Sequence, residues 1–311
     1  MSQEFRIEIL KDRALMLKKA REFFYERAIL EVDCPILSPY ASVDAHIDLI
    51  AACAMQMDAF LHSSPEYPMK RLLSEGIGDI FQLSHVFRDG ECGSKHNPEF
   101  MMAEWYRLSF SFEAMVEETL DFIRLFLGNF EAEIVSYKEL FLRYAGIDPY
   151  SSTNEELGQY LQKISPETQT DSRDDILNFI LALQIEPQLG KNKLTALVYY
   201  PPTQAALAKT RLVDGEMVAE RFEIYYQGTE LANGYHELQD ADEQLRRLIE
   251  ANELRLRLGK NELPIDMRFI EALKHGLPAC SGVAVGFDRL MMLRHNKQVL
   301  SSILSFDWDS I

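Results

Sequence analysis

The chain opens on a helical pattern: Leu10, Leu17, Ala20, Phe24 and Ala28 recur at helical spacing, with Lys18, Arg21 and Glu22 turned elsewhere. Ile29-Leu30-Glu31-Val32 follows as a strand, and Pro35 holds Cys34 extended before it. A second apolar run, Ile80-Phe81-Gln82-Leu83, leads into a turn-prone stretch between Gly90 and Gly93. From Ser151 to Asp175 apolar periodicity fades. There Thr153, with Glu156 three residues on, predicts a capped helix through Leu161, and Ser165-Pro166 to Asp174-Asp175 reads as a loop. Strand patterning returns at Thr195–Tyr200 and is clearest where Phe222, Ile224 and Tyr226 alternate with Arg221, Glu223 and Tyr225. Gln227-Gly228 predicts a hairpin turn into a second strand, Glu230 to Leu238. Asp240 to Arg257 is a charged amphipathic helix, and Asp288 to Leu293 begins a last one. Long hairpins with interspersed helices predict an α+β fold, an antiparallel sheet flanked by helices, rather than a doubly wound parallel one.

Composition narrows the class. At 311 residues, 47% hydrophobic and 26% charged, the chain is an ordinary globular sequence with room for a large core. Met1 to Lys11 carries charges throughout and no apolar signal core, and no apolar run reaches the ~18 residues of a membrane span. Cys34, Cys53, Cys92 and Cys280 lie far apart with no C-x-x-C pair, so zinc and redox motifs are not indicated and reduced thiols in a cytoplasmic protein are the simplest reading. Forty-nine acidic against 32 basic residues give a formal charge of −17. Nucleic-acid backbones demand a basic face, so this balance argues against tRNA as partner.

Three stretches carry chemistry. Phe87 to Tyr106 crowds Arg88, Lys95, His96, Glu99, Glu104 and Tyr106 around a turn, a plausible holder for a nucleotide triphosphate; Glu104 and Tyr106 share a strand face. Glu223, Glu230 and Glu237 recur every seven residues. The hairpin at Gln227-Gly228 and a bend at Asn233-Gly234 would bring them to one side. That side is either a solvated polar face or a carboxylate site for a cation such as Mg²⁺. Ser281 to Arg289 sets small residues before an arginine at a helix start, which is either a tight packing turn or a phosphate holder.

These stretches resemble the three signature motifs of the class II aminoacyl-tRNA synthetases. The string HNPEF and the hairpin RFEIYYQGTELANGYHEL point to the lysyl branch. The first helix, strand and proline match motif 1, which builds a dimer interface in that family, so a homodimer is implied. Arg88 matches the motif 2 arginine that holds the substrate carboxylate and α-phosphate. His96, Asn97 and Phe100 match residues near ATP, with Phe100 the ring that stacks on adenine. Glu223 and Glu230 match the glutamates that hold ATP-bound magnesium, and Leu231 falls within the same ATP-binding strand. Glu237 matches the partner of the substrate's side-chain ammonium. Gly286 and Arg289 match motif 3, whose arginine contacts ATP phosphates. The element Ser64-Pro65-Glu66-Tyr67 with Met69-Lys70-Arg71-Leu72 matches the one whose glutamate receives the substrate's backbone amine. Glu104 and Tyr106 complete the pocket wall.

Two positions depart from the pattern. Gly90 stands where the adenine-contacting glutamate of motif 2 is expected. Either Glu91 takes its place by a one-residue shift, or adenine recognition is weakened. Ala284 stands for the middle glycine of motif 3, narrowing the amino-acid pocket.

The resemblance covers nearly the whole chain, read as one catalytic domain (residues 1–311) with a helical insertion at about residues 140–190. On this resemblance, no anticodon-binding domain is expected before the motif 1 helix. The chain is most similar to the truncated lysyl-tRNA synthetase paralogues that modify elongation factor P, a family that carries the same small-residue replacement. Membership implies an ATP-dependent ligase that adenylates a lysine-like acid, (R)-β-lysine, and passes it to a lysine ε-amine of elongation factor P. Two readings compete: a lysyl transferase acting on tRNA or a small carrier, and a catalytically inactive regulatory paralogue.

Overall fold

The computed structural model describes residues 3–311. The chain divides into two compact units, one of Met1–Ser111, Asp121–Gly128 and Glu237–Ile311, the other of Phe112–Leu120 and Asn129–His236. The fold is α+β, as the hairpin pattern predicts.

In the first unit the strand Leu30–Glu31 runs parallel to Ile80–Phe87, which pairs antiparallel with Glu99–Leu108, and that in turn with Cys280–Gly286. A small antiparallel sheet of Leu37–Ser38, Met57–Leu61 and Ala51–Ala54 stands apart. The helix Gln3–Tyr25 lays Phe24 on Phe81, ring centroids 4.2 Å apart, and brings it within 5.1 Å of Trp105 and 5.2 Å of Phe122. All four rings are fully buried and form the floor beneath the strands. The buried stripe of this helix is Ile9, Met16, Ala20, Phe23 and Phe24. Leu10 and Leu17 are only half-buried, and Ala28 lies beyond the helix end with a φ of 56°. The predicted face is therefore correct at Ala20 and Phe24 and rotated elsewhere, because two apolar stripes overlap and the aromatic pair decides which one turns inward.

In the second unit Glu216–Tyr226 pairs antiparallel with Thr229–His236, Leu194–Tyr200 and Thr210–Val213, and Ala132–Ser136 runs parallel to Leu194–Tyr200. Helices Tyr137–Tyr144, Asn154–Ile164 and Arg173–Ile180 pack Leu140, Leu157, Leu161, Ile176, Leu177 and Ile180 with Leu197, Tyr200 and Tyr225 of the strands. Thr153 and Glu156 form the predicted capping box. The predicted loop through Asp175 ends earlier, because Ser172 caps a helix that begins at Arg173. Gln227 and Gly228 both have positive φ, 50° and 62°, as a tight hairpin turn demands.

Candidate active site

Register places the pocket. Glu104 stands opposite Ala284, Tyr106 opposite Gly282, and Met102 opposite Gly286. Directly opposed residues of an antiparallel pair project to the same side, so these six share one face. Ser64 Oγ donates to Glu104 Oε2 and the Tyr106 hydroxyl donates to Oε1, both at 2.8 Å. With 2% of its surface exposed, the Glu104 carboxyl is pushed up to about 8 by burial and by the neighbouring charge of Glu66; Ser64 and Tyr106 oppose the rise. Burial and Glu104 likewise lift the Tyr106 hydroxyl well above its ordinary range, which keeps it a donor.

Beside them lies a charge cluster that the sequence reading left without a role for its central residue. Lys70, wholly buried on the helix Glu66–Ser74, places Nζ 2.5 Å from Glu66 Oε1 and 2.6 Å from Glu237 Oε2. Burial alone would strip its proton; Glu237 and Glu66 outweigh burial and hold it charged. Burial raises the Glu237 carboxyl, and Lys70 pulls it back. The signal for Lys70 was its spacing, four residues after Glu66 on one helix face. Gly282 was equally missed as a site residue. A Cβ there would lie 2.4 Å from the Tyr106 ring and 2.5 Å from Glu237 Oε1, so the bare backbone is what lets both side chains settle on the strand.

The nucleotide-side residues surround the loop after Arg88. Its backbone N–H donates to Pro98 at 2.9 Å, and its guanidinium lies 5.1 Å from the Phe100 ring centroid. Gly90 has φ +74° with nothing within 4 Å of an added Cβ: the turn, rather than crowding, selects glycine. That turn sets the Glu91 carboxylate 3.6 Å from Arg88 and 3.9 Å from His96. His96 Nε2 accepts from Arg289 at 2.8 Å, and burial together with Arg289 lowers its basicity, so the imidazole is a neutral acceptor. Arg289 follows Asp288, which is buried, accepts from the Met101 N–H at 2.8 Å and pairs with Arg13. Asp288 thereby fixes the start of the helix Phe287–Arg294, with Gly286 at its N-cap. Asn97 is committed to the fold: Nδ2 donates to the Glu99 carbonyl at 2.7 Å and Oδ1 accepts from Trp308 at 3.0 Å.

The carboxylate hairpin belongs to the second unit. Glu223 pairs with Asn233 and Phe222 with Gly234 in regular register, so the predicted bend at Asn233-Gly234 is absent. The irregularity falls instead between Ile224, opposite Ala232, and Tyr225, opposite Glu230. This bulge takes Leu231 out of the ladder and turns Glu230 onto the face of Tyr225 and Glu223. Glu223 is no solvated polar residue: it is 7% exposed, and accepts from Arg221 at 2.6 Å and Tyr225 at 2.5 Å. The strand is covered on both sides, which is why alternation of polar and apolar residues did not report its burial. Arg221 is held charged against burial by Glu223, and lies 4.5 Å from the Tyr200 ring centroid. Among the described residues no group of three His, Cys, Asp or Glu is arranged to hold a metal ion on its own. Two carboxylates on one face suit Mg²⁺ shared with substrate phosphates, which needs only one or two protein ligands.

Comparison with known proteins agrees with this geometry. The family described as tRNA synthetases class II (D, K and N) matches residues 1–309. A protein of Avibacterium paragallinarum named elongation factor P–(R)-β-lysine ligase is 43% identical over 307 residues, covering 96% of this chain and 95% of its own length. Proteins of the same name from Haemophilus influenzae (43% identical, 96% of this chain and 94% of theirs) and Pasteurella multocida (41%, 96% and 95%) match as fully. The chain belongs to the class II tRNA synthetase family (D, K and N), in its branch of elongation factor P–(R)-β-lysine ligases.

Proposed function

We propose that this chain is an ATP-dependent ligase that adenylates (R)-β-lysine and transfers it to a lysine side chain of elongation factor P. The observation that carries the reading is the buried acidic pocket. Glu66, Glu104 and Glu237 converge on one region, and Glu104 stands on the strand pair that also leads into Arg88. Such a pocket suits an acid with two ammonium groups, and its carboxylate is assigned to Arg88.

The substrate carboxylate attacks the α-phosphorus of ATP, the bond to the β-phosphate bridge oxygen breaks, and pyrophosphate leaves. Arg88 and Arg289 stabilise charge developing on the phosphate oxygens. His96, Asn97 and Phe100 line the nucleotide side, where Asn97 acts by holding the loop and Phe100 offers a ring face to adenine. Glu91, placed by the Gly90 turn, stands in for the missing motif 2 glutamate. Leu231, outside the ladder, offers backbone groups to ATP, and Gly286 lets the ligand approach the helix start. Glu223 and Glu230 would hold magnesium, which when bound neutralises phosphate charge. In the second step the acceptor ε-amine attacks the adenylate carbonyl, loses its proton and displaces AMP.

The full chain is read as one catalytic domain with the helical stretch at about residues 140–190 inserted in it. Ile7, Leu15, Tyr25 and Leu30 are exposed at the first helix and strand, and this face is assigned to a second copy. No helix among the described residues is long and apolar enough to cross a membrane. A cytoplasmic enzyme that does not use tRNA fits the acidic charge.

The test is amino-acid-dependent ATP–pyrophosphate exchange with (R)-β-lysine, α-lysine and no amino acid, followed by transfer to purified elongation factor P. Strong exchange with β-lysine and a mass gain on the acceptor are expected. Exchange with α-lysine alone, charged onto tRNA, would return the tRNA-acting reading. No exchange with either would leave an inactive paralogue.

A further inference from the structure

We propose that Lys70 is the positioning residue that sets the charge of the amino-acid pocket, tying Glu66 to Glu237 so that the pocket balances two substrate ammonium groups. This rests on the assignment of that pocket to a lysine-like acid. Lys70 lies on a helix, Glu66 one turn before it, and Glu237 follows the end of a distant strand. The ammonium bridges them at 2.5 and 2.6 Å with no exposed side-chain surface, where water cannot screen the interaction. With every carboxyl ionised, Glu66, Glu104 and Glu237 contribute three negative charges and Lys70 one positive. The remaining two match the two ammonium groups of the substrate, and Arg88 matches its carboxylate.

Geometry gives Lys70 a second task. Glu237 Oε1 sits against the strand at Gly282, while Oε2 faces Lys70. Glu66 is 15% exposed in its side chain and Glu237 is 1% exposed, so the lysine holds one carboxylate with some access to solvent and one wholly buried. Without the ammonium, the two carboxylates repel each other or take up a proton, and each outcome removes a partner from the substrate.

The test compares wild type, Lys70→Ala and Lys70→Met by ATP–pyrophosphate exchange, with folding followed by circular dichroism. The expected result for Lys70→Ala is a KM for the diamino acid raised at least tenfold, a KM for ATP within twofold of wild type, and recovery when ethylamine is added. Ethylamine fits the space vacated and restores the positive charge, which a packing defect would not respond to selectively. Where Lys70→Ala folds but is too unstable for kinetics, ethylamine should raise its melting temperature and leave that of Lys70→Met, whose side chain fills the space, unchanged. A folded Lys70→Ala with an unaltered diamino-acid KM overturns the proposal, as does a raised KM or lowered melting temperature that ethylamine does not touch. Absence of exchange by the wild-type protein would instead strike the reading of the whole site.

Discussion

In the amino-acid pocket both oxygens of Glu104 are already held at 2.8 Å, and Lys70 sits within 2.6 Å of two carboxylates. In the loop after Arg88, a few residues along the same strand pair, Glu91 stands 3.6 Å from Arg88 and 3.9 Å from His96. The Arg88 separation is an ion pair without a hydrogen bond, and the neutral His96 adds no charge to it. In the first region hydrogen bonds hold both carboxyl oxygens, whereas in the second the Glu91 carboxylate is drawn to Arg88 by charge alone. Discrimination between amino acids depends on fixed geometry in a dry site, whereas ATP brings three phosphates that can draw cationic groups inward. On the proposed assignment, the difference teaches that specificity and nucleotide capture fall to opposite kinds of structure on one sheet.

Substitutions can break or sharpen this contrast. The largest effect is expected for Arg88→Ala, which removes the cation proposed to meet both the substrate carboxylate and the phosphate: exchange should fall by about 10³. Gly282→Ala comes next. Its methyl would collide with Tyr106 and Glu237, and relief of that collision costs about 1–3 kcal/mol. Steady-state kinetics should show the diamino-acid kcat/KM down by about 10²-fold, because a displacement near 1 Å is enough for such a loss, with the KM for ATP little changed.

Smaller effects test the electrostatics. The Glu104 carboxyl, pushed up to about 8, is largely protonated in the free protein near neutral pH, and an incoming ammonium favours its ionised form. Binding of the lysine-like acid at pH 7 should therefore release a proton, measurable by calorimetry in buffers of different ionisation enthalpy. The sign for stability follows from the same elevation. Its contribution is full below the ordinary carboxyl range and is lost as pH rises through about 8. Glu104→Gln should accordingly melt higher than wild type at pH 9 and show no such advantage at pH 5, while losing activity throughout.

The loop should be more forgiving. Gly90→Ala meets open space and suffers only the left-handed backbone, about 1 kcal/mol, so the KM for ATP should rise no more than about tenfold. Smallest is Ala284→Gly, opposite Glu104 on the pocket face, which should improve use of α-lysine relative to β-lysine by a few fold. An unchanged ratio would remove Ala284 from the account of selectivity.

Much of this was legible in the chain. The hairpin at Gln227-Gly228 and the cap at Thr153 are local, set by residues a few positions apart. The strand face shared by Glu104 and Tyr106 follows from period two. What escaped the sequence depends on distant partners. The bulge at Leu231 is fixed by the register of another strand, and Asn233-Gly234 looked like a bend only because Asn-Gly usually marks one. Lys70 carries no role in the sequence until Glu237, far along the chain, is brought against it. The hairpin through Asp214-Gly215 carried a plain turn signal, with positive φ at both residues, and was missed for its nearness to the longer strand.

Gly282 has a consequence for how this enzyme could change its amino acid, in the laboratory or over generations. The space that a side chain would occupy there is filled by Tyr106 and Glu237 themselves, so any larger residue fits only by dislodging those two side chains. Ala284, two positions on, is half-buried and faces the pocket without that constraint. New specificities are therefore reachable by single steps at Ala284, while Gly282 opens only after Tyr106 or Glu237 has already been given up.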